Sequence, residues 1–163
     1  MNNVHIKKLI GKATIHPILF YTGKIAGYIT WIILILFISG VQVYEITIVV
    51  YRVYISYLTG LAGLLFIIIS LINLGKSTRL GLPVDNTSLK TTGIYKISRN
   101  PMYVGFNLMT ISSMIYTLNL IIFLLGMYSL FIYHLIIIRE EQFLERRFGQ
   151  NFISYKKKVR RYL

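Results

Sequence analysis

The chain has 163 residues, 55% of them hydrophobic, a mean hydropathy of +0.64 and no cysteine. So much apolar sequence in unbroken runs excludes an ordinary soluble domain, and the missing thiols exclude disulfides and thiolate metal sites. The formal charge of +13, from 18 basic and 5 acidic residues, would suit nucleic acid, but the bases flank apolar runs, where membrane topology and anionic headgroups want them.

In chain order, apolar runs predict four spanning helices, at about 25–43, 53–74, 101–117 and 118–138. The basic stretch before the first run is long and no small-x-small site follows it, so that run reads as a retained span rather than a signal peptide. The third is short and carries Asn107, Thr110, Ser112 and Ser113, which belong against other helices or a ligand rather than lipid. It meets the fourth at Thr117-Leu118-Asn119, which predicts a tight helical hairpin. The tail, 139–162, repeats Leu144, Phe148, Phe152, Tyr155, Val159 and Tyr162 at spacings of three and four, the pattern of an amphipathic interfacial helix that Gly149 would kink or divide. The expected fold is one all-α integral membrane domain over 1–163.

Residues 1–24, the loop 75–100 and the tail carry nearly all the lysine and arginine, whereas the other two connections carry almost none. The positive-inside rule then puts both termini and the 75–100 loop in the cytoplasm, with the inner or plasma membrane as the expected location. Two polar islands therefore share one face.

The first island is Gly93-Ile94-Tyr95-Lys96-Ile97-Ser98-Arg99-Asn100-Pro101-Met102-Tyr103-Val104-Gly105. Asn100 is a good N-cap and Pro101 suits the first helical position, so a helix should start there. Its bare N–H groups, beside Arg99, form an anion site. Gly93 suits a tight turn, and Gly105 the close approach of a helix or ligand. The second island is Arg139-Glu140-Glu141, two of the five acids, where one carboxylate could take a ligand ammonium and the other serve structure. His134 lies inside the fourth span and either packs against the bundle or acts chemically. His5, His16 and His134 are too scattered for a metal site, and none is expected.

Gly93-x-Tyr95-x-x-x-Arg99-Asn100-Pro101-x-Tyr103-x-Gly105, followed across a hairpin by Glu140-Glu141-x-x-Leu144-x-x-x-Phe148-Gly149-x-x-Phe152-x-x-Tyr155-x-x-x-Val159-x-Arg161, resembles the paired signatures of the integral-membrane methyltransferases, the isoprenylcysteine carboxyl methyltransferase and phospholipid N-methyltransferase group. The resemblance covers about 75–163. It implies S-adenosylmethionine as cofactor, bound at the cytoplasmic membrane edge and serving a lipophilic or lipid acceptor. Carried over by position, it implies cofactor contacts at Thr87, Ser88, Leu89, Lys90, Tyr95, Arg99, Asn100, Pro101, Met102, Tyr103 and Glu140. Arg139 and Glu141 are the candidates for work on the acceptor, with His134 a second possible base. Many relatives have histidine at Asn100, which cannot titrate here. The isoprenylcysteine enzymes place arginine where this chain has Ile136, which turns the reading toward phospholipid and other lipophilic acceptors. Two other readings stay open: a nicotinamide-dependent membrane reductase of related architecture, and a non-catalytic protein whose basic tail holds anionic lipid or a partner.

Overall fold

The computed structural model describes residues 14–45, 49–75 and 88–163. Thr87 and the first half of the 75–100 loop lie outside the described residues. Regular structure within them is helical throughout: α1 (Pro17–Ile38), α2 (Val50–Leu74), a 3₁₀ turn (Gly93–Lys96), α3 (Pro101–Thr117), α4 (Leu120–Phe148) and α5 (Gln150–Lys158). Among the described residues, three helices, α1, α2 and α4, are long and apolar enough to cross a membrane. With 17 residues, α3 reaches about 26 Å at 1.5 Å per residue, short of a ~30 Å hydrocarbon core.

α3 is the inner helix and packs against α1, α2 and α4. Thr110, Ser112 and Ser113 are used at those contacts, whereas the Asn107 amide oxygen is buried without a hydrogen-bond partner among the described residues. Ser112 donates to the Ser56 carbonyl at 2.7 Å and Ser56 returns a bond to the Ser112 carbonyl at 2.9 Å. Ser113 donates to the Thr30 carbonyl, and the Trp31 indole N–H donates to the Thr110 hydroxyl at 2.9 Å. Without water in the bilayer core, such bonds are how polar groups are satisfied between helices. Close approach needs small residues. A Cβ on Gly105 would stand 2.7 Å from the Gly63 carbonyl oxygen, and one on Gly63 would stand 2.9 Å from that of Gly105. Large apolar side chains left outside, among them Leu58 and Ile72 on α2, Ile25 and Ile32 on α1 and Ile121 and Leu124 on α4, suit a lipid surround.

The boundaries differ from expectation at two places. α1 starts at Pro17, eight residues before 25, because proline is at home in a first turn. It stops at Ile38, five before 43, in a Schellman motif: Gly40, at φ +83°, bonds back to the Phe37 carbonyl and Val41 to that of Leu36. At the other end, α4 continues past 138 to Phe148, since nothing between Gly126 and Gly149 interrupts a run of good helix formers. The 139–162 stretch is divided at Gly149, as its sequence suggests, and its first part belongs to α4. Gly149, at φ +50°, ends α4 and starts the separate α5, after which Val159 is extended. Leu118 in the left-handed region closes α3, and the Asn119 side chain caps α4 by accepting from the N–H groups of Ile121 and Ile122.

Candidate functional site

Where α3 begins, α4 leaves the apolar region and the tail folds back, the three elements enclose a cavity. Its walls come from both polar islands. Ser88, Leu89, Lys90 and Tyr95 line the loop side, Arg99 to Tyr103 the start of α3, and Glu140 and Glu141 the α4 side. Every predicted cofactor contact among the described residues is on this surface. Arg139 is not. It faces a separate groove between α1 and α4. His134 is absent from the lining as well, and its Nδ1 lies 2.7 Å from the Tyr162 hydroxyl.

The two adjacent glutamates have different surroundings. The Glu140 carboxylate accepts from the buried Tyr103 hydroxyl at 2.8 Å and has no cation within salt-bridge distance among the described residues, the Lys24 ammonium acting on it only from longer range. Glu141 is saturated. Arg99 grips it as a fork, Nε to Oε1 at 3.0 Å and Nη2 to Oε2 at 3.1 Å. Arg161 adds Nε and Nη2 at 3.1 and 3.0 Å, and Asn100 adds its amide at 2.9 Å. Paired charge-assisted bonds of this kind are geometrically specific.

Asn100 occupies the N-cap position of α3, but its side chain does not cap. The amide is drawn to Glu141 instead, so the first N–H groups of α3 lack a side-chain partner where the helix start meets the cavity. Arg99, expected to share in binding an anion, has its guanidinium committed: Nη1 donates to the Val159 carbonyl at 2.6 Å and the Lys156 carbonyl at 3.1 Å, and the remaining donors face Glu141.

The tail closes the cavity. Arg99 N–H donates to the Arg160 carbonyl at 2.9 Å, the Ser98 hydroxyl to that of Arg161 at 3.1 Å, and the Tyr155 hydroxyl to that of Tyr95 at 2.6 Å. Leu144, Phe148, Phe152 and Tyr155 supply an apolar wall beside Leu74. Burial, aided by the nearby Glu140 carboxylate, pushes the Tyr95 phenol up to about 12. Tyr95 is therefore a neutral hydroxyl near pH 7 and no base. In the sequence, Leu144, Phe148, Phe152, Tyr155 and Arg161 stand out only as parts of a pattern. The i, i+4, i+8 spacing of Glu140, Leu144 and Phe148 was the usable signal, since it puts an acid and two apolar groups on one helix face.

A family model for phospholipid methyltransferase matches residues 51–151. The match begins in α2, where the sequence offered little beyond hydrophobicity, and runs into α5. Comparison with curated proteins and with solved structures gives no match.

Proposed function

Because this chain belongs to the phospholipid methyltransferase family, we propose that it is an S-adenosylmethionine-dependent enzyme that methylates a lipid acceptor at the cytoplasmic membrane face. Of the readings the sequence left open, this is the one the family favours. The observation that carries the cofactor assignment is the opposed pair of polar functions in one cavity: the Glu140 carboxylate, held by Tyr103 with no cation hydrogen-bonded to it among the described residues, and the uncapped start of α3 at Met102 and Tyr103.

The residues fit the group. Glu140 would take the amino acid ammonium. The α3 start and Lys90 would take the carboxylate. Leu144, Phe148 and Phe152 would cover the adenine. When bound, S-adenosylmethionine supplies an electrophilic methyl on a sulfonium. The protein's part is to orient donor and acceptor and keep water out. Glu141, a candidate for work on the acceptor, has its oxygens filled by five donors, so in this proposal it fixes Arg99 and Asn100 in the wall. Although α3, at 17 residues, is a few Å short of the hydrocarbon core, it is the inner helix, and in this proposal it crosses with α4 as a hairpin, both termini cytoplasmic, while the lipid approaches between helices.

Calorimetric titration of S-adenosylmethionine into the detergent-purified protein, beside Glu140→Gln, tests this. Saturable binding that the variant weakens by about tenfold or more is expected. No binding by a folded, monodisperse sample would overturn the cofactor assignment.

A further inference from the structure

The groove that takes Arg139 has no part in the site just described. It lies between the first turn of α1 and the far end of α4. On α4, Leu135, Arg139, Gln142 and Arg146 stand at i, i+4, i+7 and i+11, one face of the helix. Glu140, Leu144 and Phe148, which line the other cavity, lie on the roughly opposite face. Arg139, Gln142 and Arg146 are exposed along it.

Its charge is one-sided. Arg139 and Arg146 line it, with His16 across from them, and no acid among the described residues does. The ion pairs that involve α4 go elsewhere: Glu141 holds Arg99 and Arg161, and Glu145 holds Lys156 at 2.9 Å. Arg139 has a long hydrogen bond of 3.3 Å to the Gln142 amide oxygen, and neither it nor Arg146 has an ion pair among the described residues. The Thr14 hydroxyl is buried in the same groove without a hydrogen-bond partner among the described residues. The start of α1, which has no side-chain cap, opens toward it. The groove thus gathers two guanidiniums and a hydroxyl around a space whose described lining carries no counter-charge. Leu19, Leu135, Ile138 and Phe143 complete its wall and continue onto the apolar surfaces of α1 and α4.

We propose that the α1–α4 groove seats the phosphate of an anionic membrane phospholipid, with Arg139 and Arg146 as its cationic jaws and the acyl chains along the adjoining apolar helix faces. Guanidinium matches phosphate oxygens bidentately, and Arg is the residue for that geometry. A free phosphate would use the arginines but leave the apolar wall bare, so the lipid is the better occupant. The site lies apart from the methyl-donor cavity, and its occupancy does not depend on the cofactor reading.

The test is a titration of the full chain in detergent with dihexanoyl phosphatidylglycerol, dihexanoyl phosphatidylcholine and inorganic phosphate, read by calorimetry. The variants are Arg139→Gln/Arg146→Gln, Arg146→Gln alone, and a control of equal charge, Lys157→Gln/Lys158→Gln, on exposed positions of α5. With each juxtamembrane cation contributing on the order of a factor of five, the groove double variant should bind phosphatidylglycerol about 30-fold more weakly and the single variant about fivefold. The control should match the native chain, and phosphatidylcholine and phosphate should bind far less. Equal losses in the control would mean diffuse attraction to a basic surface and would overturn the proposal. So would unchanged binding by either groove variant, or phosphate binding as tight as the lipid. The single substitution keeps the test open should the double variant fail to fold.

Discussion

Glu141→Gln removes one charge and leaves the shape of the side chain almost intact. Its consequence can be worked from the contacts. The carboxylate is 5% exposed and the Arg99 side chain 8%, whereas the Arg161 side chain is 34% exposed. Arg99 is thus a buried cation whose only carboxylate partner among the described residues is Glu141, and loss of one partner from such a pair costs about 3–5 kcal/mol. Gln retains one acceptor oxygen, so the lower end applies, about 3 kcal/mol, which for a domain of this size is about 6–12 °C in melting temperature. Arg99→Gln should match it. Arg161→Gln should fall well short, at about 1 kcal/mol, because solvent screens the more exposed partner. Thermal unfolding of the detergent-solubilised protein, followed by tryptophan and tyrosine fluorescence, gives the ranking. Limited proteolysis adds a positional readout, since the tail beyond Lys158 is held by Arg99 and should become cleavable in Glu141→Gln. A variant that melts within about a degree of the native chain with its tail still protected would refute the reasoning, as would Arg161→Gln proving the most damaging of the three.

Tyr103→Phe leaves the Glu140 carboxylate without its 2.8 Å donor and should weaken S-adenosylmethionine binding about tenfold, by calorimetry, with stability lowered by about 1–3 kcal/mol. Gly105→Ala puts a methyl 2.7 Å from a backbone oxygen of α2, so the α2–α3 crossing must spread; a loss of about 2–3 kcal/mol and poor recovery as a monodisperse species on size exclusion are expected. Burial holds the phenols of Tyr95 and Tyr155 up to about 12, against about 10 in an unfolded chain. The stability tied to them is whole below about pH 10 and is lost as pH rises through about 12. Melting temperature should fall across that window, and Tyr95→Phe should flatten the fall. An equal slope in the variant would count against the assignment.

What could be read from the sequence was what is encoded locally. Asn100-Pro101 marked the start of α3, because between apolar runs a proline behind a polar, cap-forming residue suits a helix start and little else. The i, i+4, i+8 spacing of Glu140, Leu144 and Phe148 carried a further local signal that the amphipathic tail pattern did not use. The serines of α3 had to find helix partners, and Ser112 and Ser113 did. What could not be read was the choice a side chain makes among competing partners. Asn100 has the right chemistry to cap α3, yet the Glu141 carboxylate prevails over the backbone for its amide. Arg99 could equally meet a ligand anion or Glu141, and only the position of α4 decides. Arg139, adjacent to Glu140 in the chain, is turned by helical geometry to the other side. The end of α1 is not legible in hydropathy, because Gly40 lies inside the apolar run at 25–43 and yet is the left-handed residue that closes the helix.

Gly149 gives the site a lever. Everything beyond it hangs from one pair of backbone dihedrals, with nothing within 4 Å of where a side chain would stand. A nine-residue helix such as α5 is about 14 Å long, so a rotation of about 10° at its root swings its tip by about 2 Å. That displacement would carry Val159 out of reach of Arg99, and the cavity would lose its outer wall. The fulcrum imposes no steric stop of its own. The angle is set at the far end of the arm, by the Tyr155–Tyr95 bond and the Arg99 and Arg161 contacts, so the clasp at the tip rather than the joint determines how wide the cavity stands.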